Sequence, residues 1–366
     1  MVGVGGHSDV LIFVEDPGAA QCVVDLPVAL AERGLSCQVW AAGLAKTWMA
    51  QRGKLFEVWP EGNALSIPDF ALLVVGTADN PRTPGFALID EARRRGRPSV
   101  GIVDASMNAG QRFRGLNASP LAHVPDWVLV PDAEAAATFV SQGFSAERVV
   151  ACGHPHFDFV RQVGERLAQE GSDAIRRRVY PKVGQGVQVA LYICEGAAGT
   201  EKGQMAYTVP SCRDGRKLGR TEAGLEMFLE AISRLSTRPV MVVRPHPKDN
   251  PGQYGSWLKE IDDVSAVAPP LEAVFAADVV AGQTSMLLSE AALLNRPTVS
   301  LLPKLDEAAW LPSARAGATT VVSTPEEAAL AMRMALVDRP DRVIFDPPKG
   351  ALGRMADILH RLAAGG

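Results

Sequence analysis

One rhythm constrains this chain more than any other feature. Short apolar segments, each followed by a turn and an amphipathic stretch, recur along its whole length. Residues 10–14 (VLIFV) are apolar and largely β-branched, and they run into Glu15-Asp16-Pro17-Gly18. An amphipathic stretch follows through Arg33, and Gly34 stands where a helix C-terminal glycine belongs. The pattern returns at 36–40, 71–75, 99–103, 127–130 and 148–151. Apolar strands alternating with amphipathic helices predict a parallel sheet covered on both faces, the doubly wound arrangement.

The rhythm pauses at Gly153-His154-Pro155-His156 and restarts. Further strands are expected at 187–194, 239–243, 264–267, 278–281, 298–302 and 319–322, with helices near 221–235, 285–294, 325–337 and 352–363. The length of 366 residues suits two domains. The expected division is 1–155, 156–345 and a C-terminal helix at 346–366, with the crossover near 153–185. Two such domains are expected to face a central cleft at the carboxyl ends of their strands, where doubly wound sheets bind ligands.

Composition narrows the function classes. Hydrophobic residues at 47% and charged residues at 21% exclude a largely disordered chain. A formal net charge of −4 argues against non-specific nucleic-acid binding. No apolar run approaches the roughly 20 residues of a membrane-spanning helix. Five cysteines without CxxC pairs fit a reducing cytoplasm, and MVGVGGHSD has neither a basic leader nor a small-residue cleavage site.

Chemistry is expected on the loops that leave the strands. Glu15 and Asp16 are candidate general bases for a substrate hydroxyl, with Asp16 as a helix cap before Pro17 the competing reading. The loop lacks GxGxxG, which argues against a nicotinamide or flavin site. Asp104 follows a second apolar strand, and is read either as an acid/base group or as a turn residue. Asn108, Arg112 and Arg114 beyond it could surround an anion, and Thr77 to Asn80, including Asp79, is polar enough to line the same region. Cys152, His154, His156 and Asp158 do not follow the usual zinc spacings and read as a hinge.

In the second half, the small-residue loop from Gly196 to Lys202 could let backbone amides approach a phosphate, yet it lacks the GK[ST] ending of a P-loop. Arg213, Arg216, Lys217 and Arg220 form either a solvated surface or a lid over an anion. Two loops are more telling. Arg244-Pro245-His246-Pro247-Lys248 holds a histidine between two cations at a strand end, a set suited to a diphosphate or a departing phosphate. Gly282-Gln283-Thr284-Ser285 opens a helix, where hydroxyls, free amides and the helix dipole together favour an anion. Glu290, in an otherwise apolar helix, calls for a partner such as a ribose diol.

These motifs resemble the glycosyltransferase-B superfamily. Residues 125–158 (PDWVLVPDAEAAATFVSQGFSAERVVACGHPHFD) and 279–302 are similar to the matching stretches of non-hydrolysing UDP-N-acetylglucosamine 2-epimerases. That resemblance implies Thr284 and Ser285 on diphosphate, Glu290 on ribose, and Asp104 where the epimerases have an acid. The chain departs from their serine–glycine–glycine turn and glutamate pair. Arg244–Lys248 and Thr284-Ser285 look closer to the histidine–proline and hydroxyl motifs of bacterial sialyltransferases, capsule transferases and glycerophosphate transferases. The resemblance therefore implies an α/β chain of two doubly wound, Rossmann-like domains. Its expected activity is transfer from a nucleotide-activated donor to an unidentified acceptor, with no cofactor and no metal. An epimerase-like isomerase and a non-catalytic nucleotide or glycan binder are the alternatives, and a homodimer is left open.

Overall fold

A computed structural model describes residues 8–59, 67–78, 80–195, 207–246, 251–265, 267–338 and 341–365. Two compact units result: Met1–Asp158 with Pro347–Gly366, and Phe159–Asp346. The C-terminal helix Ala351–Ala364 thus belongs with the first unit rather than standing apart. The chain passes from one unit to the other within the helix Pro155–Glu170.

The first unit carries seven strands: β1 (Ser8–Val14), β2 (Cys37–Ala41), β3 (Glu57–Val58), β4 (Phe70–Gly76), β5 (Ser99–Ile102), β6 (Trp127–Val130) and β7 (Val149–Ala151). All pair in parallel, in the order β3-β2-β1-β4-β5-β6-β7. Strand alternation explains the layers. Val10, Ile12 and Val14 pack on one face with Cys22 and Leu26, while Leu11 and Phe13 pack on the other with Leu88 and Ile89.

The second unit carries β8 (Val189–Ile193), β9 (Thr208–Pro210), β10 (Lys217–Gly219), β11 (Val240–Arg244), β12 (Asp263–Val264), β13 (Val279–Gly282), β14 (Thr298–Leu301) and β15 (Thr320–Val322). Six form a parallel sheet in the order β12-β11-β8-β13-β14-β15, and β9 and β10 make a separate antiparallel pair. Each large sheet reverses its strand order once, between β1 and β4 and between β8 and β13. The fold class matches the sequence expectation. The amphipathic stretch after β1 is two helices, Pro17–Val23 and Leu26–Ala31, the second with Pro27 in its first turn, and Gly34 beyond them takes φ +80°.

Three amino ends share one device: an aspartate just before a strand accepts an amide from the first two residues of its neighbour. Asp126 takes the Ser99 amide at 2.8 Å, Asp262 that of Met241 at 2.8 Å, and Asp278 that of Val189 at 2.8 Å. Asp278 is also ion-paired to Arg176 at 2.6 Å, which in turn donates to the Ala276 carbonyl. Asp278→Ala leaves a part-buried amide and a guanidinium without this partner. A loss of about 1–3 kcal/mol is expected. It should appear in thermal melts as a fall of several degrees, and a shift under one degree would remove this account of the strand clamp.

Candidate functional site

In the first unit the described candidate carboxylates stand at the carboxyl ends of β1 and β5. Glu15 follows β1 directly. Its Oε1 accepts from Asn80 Nδ2 at 2.7 Å, and its Oε2 is buried with no hydrogen-bond partner among the described residues. Asp16 occupies the N-cap position of the helix Pro17–Val23 with extended backbone, but its side chain makes no capping hydrogen bond. The cap reading of the sequence therefore holds for its position and not for its carboxylate. Asp104 lies two residues past β5, 3.3 Å from the Arg112 guanidinium. Its carboxylate presses on Gly18, where an added Cβ would come within 2.0 Å of Oδ2. Only glycine lets the helix that Asp16 begins sit this close to Asp104.

The cations expected beside Asp104 are already engaged. Arg112 is buried and also donates to the Met107 carbonyl, and Arg114 donates to the Asn117 carbonyl at 2.6 Å. Asp79 lies outside the described residues.

The segment that follows β7 is tied to the C-terminal helix. Asp158 accepts the amides of Gly350 at 3.0 Å and Ala351 at 2.9 Å, so it caps the helix Ala351–Ala364 from a distant part of the chain. Arg354 donates to the Cys152 carbonyl. His154 is buried, with Nε2 3.7 Å from the Cys22 sulfur and its ring 6.2 Å from that of His156. Burial pushes its pKa down to about 3, aided by the neighbouring His156 and opposed by the Asp104 main chain. Burial likewise raises the Cys152 thiol to about 12.

In the second unit the candidates stand on the neighbouring strands β11, β8 and β13. Arg244 ends β11, and its Nη1 donates to the carbonyls of Ser265 at 3.0 Å and Ala268 at 2.8 Å. Burial lowers its pKa from the ordinary arginine value. This guanidinium therefore braces the chain that follows β12, a role the cationic motif did not suggest. His246 is half-buried two residues beyond. Gly196, Lys202 and Lys248 lie outside the described residues.

Gly282 ends β13, and an added Cβ there would stand 3.2 Å from the Ile193 carbonyl of β8. Ser285 is the N-cap of the helix Met286–Leu293, half-buried and with no capping hydrogen bond from its side chain. Glu290 is buried in the second turn of that helix.

Thr284 is engaged within the protein. Its amide donates to the Glu195 carboxylate, and its hydroxyl lies 3.2 Å from Glu195 Oε2 and accepts from Arg220 Nη2 at 2.9 Å. The amide and hydroxyl of Thr284, two of the donors expected at a diphosphate, thus face the Glu195 carboxylate that follows β8.

Sequence reasoning missed this network, which centres on Arg220. Its Nε donates to Glu307 at 2.6 Å, and its Nη1 to Glu195 at 2.6 Å and to Gln283 at 3.2 Å. Gln283 returns a bond to the Arg220 carbonyl, and Tyr207 donates to Glu307. The Arg220 side chain is 2% exposed. Of the four cations read together in the sequence, Arg213 pairs with Glu260 and Arg216 with Asp214 at the surface, Lys217 is exposed, and only Arg220 turns inward. Gly224 on the helix Arg220–Ser233 permits this, since a Cβ there would meet Gln283 at 2.8 Å. Glu195, placed directly after a buried strand, was the readable signal.

No protein-family model matches the chain, and no curated protein matches it. Solved structures do. The UDP-GlcNAc 2-epimerase of Neisseria meningitidis, solved bound to UDP-GlcNAc, aligns with a TM-score of 0.63 at 14% identity, over 98% of this chain and 100% of that one. The enzyme of the same name from Methanocaldococcus jannaschii gives 0.65 at 13% identity over 98% and 99%. The wall teichoic acid polymerase TagF gives 0.53 at 14% identity over 98% and 89%.

The chain has the glycosyltransferase-B fold. Both of its sheets are the Rossmann-like sheets of that fold, and each candidate cluster stands beside the reversal of strand order, where such sheets bind ligands. At these identities the likeness fixes the fold and leaves the chemistry to the residues. No helix among the described residues is long and apolar enough to cross a membrane.

Proposed function

We propose that the chain is a transferase that uses a nucleotide-activated donor. The observation that carries this reading is the set of groups on the strands at the reversal of the second sheet. His246 follows β11, and Ser285 opens a helix directly after β13, with β8 between them. A histidine and a helix N-terminus at neighbouring strand ends suit a diphosphate. Two proteins of the same fold were solved with UDP-GlcNAc or UDP, which supports a nucleotide there.

In this reading Ser285 and the amides that open the helix Met286–Leu293 hold phosphate. His246 donates to the departing phosphate oxygen, Arg244 ties the end of β11 to the chain that follows β12, and Glu290 binds the ribose. Glu15, Asp16 and Asp104 of the first unit are the candidates for accepting the proton of the acceptor hydroxyl. Fixed donors and the helix dipole supply the charge stabilisation, so turnover is expected to persist in EDTA.

His246→Ala should slow donor turnover by on the order of a hundredfold or more, measured as acceptor-dependent release of the nucleotide. Unchanged turnover in that variant removes the mechanism. A second reading, an epimerase-type isomerase with Asp104 as an acid/base group, is favoured by the end-to-end match to the Neisseria enzyme. Incubation with UDP-GlcNAc in deuterated water separates the two readings. Solvent deuterium at an inverted carbon supports the isomerase, whereas acceptor-dependent loss of donor without it supports the transferase.

A further inference from the structure

We propose that Arg220 is a positioning residue that sets the phosphate-binding turn before the helix Met286–Leu293. The inference rests on the nucleotide reading of that turn and goes beyond it by assigning which groups the phosphate meets. All three guanidinium nitrogens of Arg220 are used in different directions: Nε on Glu307, Nη1 on Glu195 and Gln283, Nη2 on Thr284. Gln283 and Thr284 are the two residues immediately before the Ser285 cap, so this fork fixes the path by which the chain enters the helix. Ser300 completes the hold by donating to the Gln283 carbonyl at 2.6 Å.

Glu195 has the complementary role. Its carboxylate occupies the Thr284 amide, the donor an incoming phosphate would otherwise take, and it repels an anion from that position. The phosphate is thereby moved one residue onward, to Ser285 and the amides that open the helix. Arg220 keeps this carboxylate in place inside the protein by a direct ion pair at 2.6 Å. Lysine cannot supply three divergent donors from one planar group, so it cannot substitute for the fork.

The test measures binding of UDP and of inorganic pyrophosphate to the full chain by calorimetry, with far-UV circular dichroism and melting curves as checks on folding. Arg220→Lys is expected to weaken both probes at least tenfold while the spectrum and the cooperative melt persist. Ser285→Ala should also weaken both. The double variant should lose much less than the product of the two single losses, because a misplaced turn no longer presents Ser285.

Should Arg220→Lys fail to fold, Glu307→Gln carries the test. The Glu307 side chain bonds Arg220 and Tyr207 and, among the described residues, hydrogen-bonds no residue of the turn, so a weakening of at least threefold supports the assignment. Folded variants that bind within twofold of the parent, or single losses that simply multiply, overturn the inference and leave the nucleotide reading standing. Failure of the parent protein to bind UDP, CDP, GDP, ADP or pyrophosphate removes that reading and this inference together.

Discussion

Arg220→Met is expected to destabilise the second unit by about 3–5 kcal/mol, the largest stability effect of any substitution considered. The cause is what remains after the change. Glu195 and Glu307 keep their buried positions, at 8% and 2% exposure, and lose the guanidinium that pairs with both. Ionic attraction within a protein does little more than offset the cost of taking both charges out of water, so an intact pair adds little. Removing one member leaves that cost uncompensated.

Chemical denaturation followed by circular dichroism reads the loss directly. Adding Glu307→Gln to Arg220→Met should recover part of it, since one buried carboxylate then no longer needs a counter-charge. A loss below about 1 kcal/mol in Arg220→Met would mean that water reaches these carboxylates, contrary to the burial described.

The second large effect is a dependence on acid. His154 is held neutral in the folded protein with a pKa of about 3, against about 6.5 for a free imidazole. Between those values the unfolded chain binds a proton that the folded chain does not, so stability rises with pH across the interval. The contribution is fully present above about pH 6.5 and is lost progressively as pH falls toward 3. At about 1.4 kcal/mol per pH unit, it amounts to roughly 3–5 kcal/mol in all.

Denaturation curves from pH 7 to pH 4 should therefore be steeper in pH for the parent than for His154→Gln, which has no such proton to exclude. Equal slopes would show that the ring reaches water or a compensating acid. The packing around it, with Cys22 on one side and Phe157 at 4.9 Å between ring centres, argues otherwise.

Much of the fold was legible because burial writes itself into composition. The strand at 127–130 has the boundaries expected, β1 and β5 differ from expectation by two residues and one residue at one end, and β13 is shifted by one residue. These are central strands covered on both faces, so nearly every position must be apolar. The two-residue strand β3 and the pair β9–β10 were not legible. They are short and mostly exposed, and no apolar pattern distinguishes them from loop.

The candidate site divides in the same way. Ser285 as a helix start and Asp104 beyond β5 follow from local sequence, because caps and strand-end loops have local signatures. Arg220 could not be picked out of Arg213, Arg216, Lys217 and Arg220. Its partners Thr284 and Glu307 are 64 and 87 residues away, and its burial depends on the close approach at Gly224.

By itself, then, the sequence determined two parallel sheets and the strand ends on which chemistry must sit, since periodicity and apolar content depend only on which residues face a core. The tertiary structure decided which polar groups face one another there. It set the Thr284 amide against Glu195, and it put a carboxylate against Gly18. Pairings of this kind depend on distances between segments remote in the chain, and no local pattern encodes them.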